Sequence, residues 1–84
     1  MKRKTKTWAE KRHFDKRCIQ RLGVAYDQGH LLNQLHGGKL TFLERQSNRV
    51  TVWRKDDAVF VYDKNRNTFV TALTYDMWKS GLVT

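Results

Sequence analysis

The sequence predicts an α+β fold in which two N-terminal helices pack on one face of a four-stranded antiparallel β-meander. Three observations carry this expectation. Apolar residues recur at helical spacing as far as Gly37-Gly38 and alternate with polar ones beyond it. The alternating segments are joined by links of only three to five residues, which forces neighbouring strands to run antiparallel. A length of 84 residues suits one domain, expected to fold over residues 7–78.

Residues 1–6 form a basic arm that is expected to fray. Thr7 with Glu10 makes a capping box for a helix starting at Trp8. Trp8, Phe14, Cys18, Ile19 and Leu22 share one apolar arc, interrupted by Lys11 and Asp15, which are four apart and able to pair. Gly23 is the expected stop. A second helix is expected over residues 25–36, with Val24, Leu31, Leu32 and Leu35 facing inward. Gly29 weakens it by about 1 kcal/mol relative to Ala. Strands are expected over residues 40–45, 49–54, 58–62 and 68–74, and the tail forms a short helical turn around Met77 and Trp78.

The net charge of +9 favours a polyanionic partner. Its distribution is uneven: residues 1–21 carry nine Lys/Arg against Glu10 and Asp15, and residues 22–84 carry eight against six acids. The lone Cys18 permits no internal disulfide, which fits a cytoplasmic setting, and no Cys/His cluster has zinc spacing. No apolar run is long enough for a membrane helix. A phosphate-binding glycine loop, a GxSxG elbow and a paired-carboxylate metal motif are all missing. No cofactor or metal is expected.

The most informative constellation lies on the first helix. His13, Arg17 and Arg21 are four apart and stack along one face beside the apolar arc, with Arg12 and Lys16 on the opposite flank. Guanidinium forks in a row suit phosphates. On the sheet, Glu44, Arg45, Arg49 and Arg54 belong to the first hairpin, and Thr71, Thr74 and Tyr75 to the end of the last strand. Trp53, Phe60 and Tyr62 interleave with these as a platform on which bases can stack. Metal-free RNA cleavage needs a base for the ribose 2′-hydroxyl, a cation for the phosphorane and an acid for the leaving oxygen. His13, Glu44 and Tyr75 can share the acid and base roles, with Arg17, Arg49 and Arg54 stabilising charge.

The run Arg12-His13, Lys16-Arg17 and Arg21-Leu22-Gly23, a second helix closing at Gly37-Gly38, and the strands 49–53, 59–63 and 69–73 resemble the small ribonuclease toxins of the barnase–EndoU–colicin–RelE superfamily. The likeness spans roughly residues 8–75. It implies His13 and Thr71 as an active-site pair with Arg17 close by. RelE-like members imply instead the basic strand residues Arg49 and Arg54 with the aromatic Tyr75. Two functions are expected on this basis. One is a metal-independent endoribonuclease, toxin-like or a phage effector, acting on RNA. The other is a non-catalytic protein that coats RNA or DNA, or docks on an acidic host or antitoxin protein. As a structural subunit of a larger assembly, the chain would offer its three tryptophans as interface anchors.

Overall fold

The computed structural model describes residues 12–81. The expected basic arm, the Thr7–Glu10 capping box, Trp8 and Lys11 lie outside the described residues. Residues 12–17 are α-helical and run into a π-helical turn, Cys18–Leu22; the two together are α1. Gly23 ends it at φ 78°, its N–H donating to the Ile19 carbonyl at 3.1 Å. Only a residue without a Cβ adopts this left-handed stop readily.

The second helix, α2, runs Gln28–His36 and begins later than residue 25. Asp27 sets the start, because its carboxylate accepts from the His30 N–H at 3.2 Å. Val24 therefore lies in the connection and is 49% exposed instead of facing inward.

Strands β1 (Thr41–Arg45), β2 (Val50–Lys55), β3 (Ala58–Asp63) and β4 (Thr68–Thr74) form one antiparallel sheet in the order β1-β2-β3-β4. Each turn is held by a short polar side chain or a left-handed residue. Ser47 Oγ accepts from the N–H groups of Arg49 and Val50. Asp56 takes φ 54° in the two-residue β2–β3 turn and Asn67 takes φ 53° before β4, a conformation Asp and Asn tolerate better than most residues. Asp63 accepts from the amides of Asn65 and Arg66. Bulges at Leu43 and Val70 shift the register of β1 and β4.

The core has two parts. Phe14 and Cys18 of α1 and Leu31 and Leu35 of α2 cluster with Ala58, Phe60, Tyr62, Phe69 and Ala72. The opposite parity of the strands supplies Val52, Val59, Val61 and Leu73, which are covered by Tyr75, Met77 and Trp78. These three belong to a C-terminal helix, α3 (Tyr75–Lys79), capped by Thr74 Oγ1 accepting from the Met77 N–H at 3.1 Å. The expected α+β layout with a four-stranded antiparallel sheet is present, and the C-terminal helix adds cover on the face opposite the first cluster. Every residue of β3 is buried, which needs cover on both faces.

A second departure lies within the π turn, where Ile19 is 54% exposed while its neighbour Cys18 is buried.

Candidate nucleic-acid interface

In α1, His13, Arg17 and Arg21 lie close enough to act on one another electrostatically. His13 is exposed and its pKa lies below the ordinary 6.5, first through partial burial and then through the charges of Arg17, Arg21 and Lys16. Burial and the neighbouring cations thus favour the neutral ring, the form that can accept a proton. Arg12, His13, Asp15 and Lys16 line a cavity of about 470 Å³ at this end of the helix.

Arg17 and Arg21 differ in commitment. Arg17 donates through Nη1 to Gln20 Oε1 at 2.7 Å, while its Nε is buried with no hydrogen-bond partner among the described residues. Arg21 is half-buried and donates through Nη1 to the Ala72 carbonyl at 3.2 Å, so the row ends on the backbone of the edge strand β4. A second cavity of about 270 Å³ opens there, bounded by Arg21, Leu22 and Tyr26 on one side and by the β2–β3 turn on the other.

The remaining candidates fall elsewhere. Arg54 and Thr71 have the strand parity of the second core cluster, and Glu44 sits opposite Val52. Arg54 donates through Nε to the Asp56 carbonyl at 2.6 Å and lies 3.6 Å above the Tyr75 ring. Tyr75 in turn stacks on Trp78 with centroids 5.7 Å apart. Thr71 is buried, and among the described residues its Oγ1 has no hydrogen-bond partner. No hydrogen bond or ion pair among the described residues joins His13 to Glu44, Arg54, Thr71 or Tyr75.

Two expected roles change with these positions. Arg49 pairs at 2.6 Å with the buried Asp63, which ties it to the β3–β4 turn. Arg45 is exposed at the end of β1, opposite Thr51. The stacking platform is also corrected. Phe60 and Tyr62 are buried in the core, and Trp53 packs against it while donating to Thr51 Oγ1 at 2.8 Å. Alternation alone assigns these aromatics to an open face; the two helices close it.

Sequence reasoning passes over Tyr26, Lys55, Asp56 and Asp57, which line the second cavity. Periodicity puts Tyr26 in a helix, and the other three read only as a turn. A two-residue hairpin tip made of two acids beside a lysine is the available signal. Fold and surface together define an α+β protein with a cationic helix leading to the edge of its sheet. No family model, curated protein or solved structure matches the chain.

Proposed function

We propose that this protein binds RNA in the cytoplasm through the phosphate-facing row on α1 and cleaves it without a metal ion. One observation carries the reading: His13 sits among Arg17, Arg21 and Lys16, and partial burial followed by their charges lowers its pKa. In this reading α1 and α2 form a single layer over the first face of the sheet. A phosphodiester settles against the guanidinium groups, and His13 takes the proton of the adjacent ribose 2′-hydroxyl. The freed oxygen attacks phosphorus, and Arg17 offsets the charge on the phosphorane. The 5′-oxygen leaves with a proton from solvent, and a 2′,3′-cyclic phosphate remains.

The test is incubation of the full chain with total RNA in excess chelator. Fragments ending in a cyclic phosphate are expected, and His13→Ala is expected to slow their appearance by about 100-fold or more. Intact RNA with the unmodified protein rejects cleavage.

A second reading is a non-catalytic protein that coats nucleic acid or docks on an acidic partner protein. It is favoured by the placement of Glu44, Arg54, Thr71 and Tyr75 with the second core cluster, which leaves α1 without the acid expected from them. Under it RNA binds with a steep salt dependence and is released uncut.

A further inference from the structure

We infer that the cavity between the end of α1 and the β2–β3 turn is a base-binding subsite that prefers nucleobases carrying an exocyclic amino group. It rests on the proposed binding of RNA along α1 and adds what that binding selects.

The cavity joins the phosphate row directly, because Arg21 is both the last member of the row and part of the cavity wall. Its volume of about 270 Å³ is at the small end of ligand sites, suited to one nucleoside and not to a longer segment. Its lining is chemically divided. Leu22 and the Tyr26 ring supply apolar surface, and Tyr26 is held edge-on against Phe60 with centroids 5.1 Å apart. Arg21 and Lys55 supply positive charge, and Lys55 is fixed by donating to Gln34 Oε1 at 3.1 Å.

The rest of the wall is Asp56 and Asp57 with Ala58 and Thr74 beside them. The backbone carbonyls of the two acids are engaged, by Arg54 Nε at 2.6 Å and by the Tyr75 N–H at 2.8 Å, so the turn is anchored to the start of α3. Among the described residues neither carboxylate has a hydrogen bond or an ion pair. The Asp56 carboxylate is near enough to the Tyr26 phenol to add to the effect of burial and Cys18 in raising its pKa. Two acceptor-only groups beside an aromatic ring fit a ligand edge that donates hydrogen bonds. The amino groups of adenine, cytosine and guanine provide such donors, whereas uracil has a single ring N–H between two carbonyls that the carboxylates repel. Acids in the wall of a polyanion-binding surface weaken backbone binding, so a base edge is what they can recognise.

The experiment measures fluorescence anisotropy of labelled single-stranded oligo-A, oligo-C and oligo-U RNA of equal length, with the His13→Ala chain so that cutting is slow, and gel electrophoresis checks that the strands stay intact. Oligo-A and oligo-C are expected to bind at least about fivefold more tightly than oligo-U. In a chain also carrying Asp56→Asn and Asp57→Asn, that ratio is expected to fall towards one. Both changes are isosteric, and Asn tolerates the left-handed conformation of residue 56, so folding is retained and circular dichroism checks it. Removing two negative charges strengthens binding of every RNA, and for that reason the ratio is the readout. Tight binding of all three RNAs with no preference, or a preference untouched by the double change, overturns the subsite and leaves RNA binding intact. No binding of any oligonucleotide overturns the RNA-binding reading and the subsite with it.

Discussion

His13 shows how neighbours set the chemistry of one side chain. Alone on a helix it would titrate near 6.5, but partial burial and the cations at positions 16, 17 and 21 oppose protonation. Its NMR titration is expected to have a midpoint below 6.5, and Arg17→Gln is expected to move that midpoint upward. A midpoint above 6.5 in the unmodified protein would show that the row is not formed. Because the folded pKa lies below the unfolded one, this group adds nothing to stability above pH 6.5 and destabilises the fold as pH falls beneath it. If His13 is the base, cleavage rises with pH through the same midpoint. Asp63 has a depressed pKa for a different balance of causes. Burial pushes its carboxyl up, but the Arg49 hydrogen bond, the amides of Arg66 and Asn65 and the Arg49 charge outweigh it. Its contribution is therefore present above the ordinary carboxylate pKa of 3.8 and lost as pH falls through the lower folded value. Asp63→Asn is expected to cost about 2 kcal/mol in urea unfolding at pH 7 and to flatten the acid limb of the stability profile.

Among the elements, the edge strand β4 shows how this small sheet avoids pairing with another molecule. Gln28 at the start of α2 uses its side-chain amide as a substitute strand: Nε2 donates to the Phe69 carbonyl at 3.0 Å and Oε1 accepts from the Phe69 N–H at 3.2 Å. Arg21 covers the Ala72 carbonyl further along. Two helices thus supply side chains to backbone groups that would otherwise offer a template for association. Gln28→Ala is expected to destabilise the fold by about 1–2 kcal/mol and to promote self-association, read by urea unfolding and light scattering. Unchanged stability and a monodisperse protein would show that water replaces the amide without loss. The strands themselves are legible to within a residue, because turn residues such as Ser47, Asp56 and Asn67 bound short apolar alternations. The start of α2 is misplaced by periodicity because Tyr26 fits the helical period, whereas the Asp27 cap sets the true boundary. The π turn in α1 is not legible, since packing against β4 decides it and periodicity does not.

At the scale of the whole molecule, two thin cores share one sheet, and stability depends on a few large side chains. Phe14 is fully buried and contacts Phe60 and Phe69 with ring centroids 6.1 and 5.9 Å away. Phe14→Ala is expected to cost about 3–5 kcal/mol, enough to release α1 from the sheet and lower the thermal midpoint measured by circular dichroism. Charge is also a property of the whole. RNA affinity is expected to fall linearly with the logarithm of salt, and Lys16→Gln with Arg17→Gln to reduce that slope by about 0.7 for each phosphate no longer neutralised. An unchanged slope would place the phosphate-binding groups elsewhere, for example at Arg45.

The sequence alone determined the order of elements, the meander of short strands and the cationic row on the first helix, because period, turn chemistry and four-residue spacing act over a few neighbouring residues. It also carried, unread, the sign that β3 is covered twice, since residues 58–62 are apolar at both parities. Tertiary structure alone decided which candidates share a surface. Residues 13, 17 and 21 stay together because one helix holds them. The likeness-based pairing of His13 with Thr71 needed the sheet to bring distant segments into contact, and strand parity turned Thr71 to the second core cluster instead. The cavity uniting Arg21, Tyr26 and the Asp56-Asp57 turn joins residues far apart in the chain. No local pattern encodes that meeting; it arises from docking α1 at the end of β4 beside a hairpin tip.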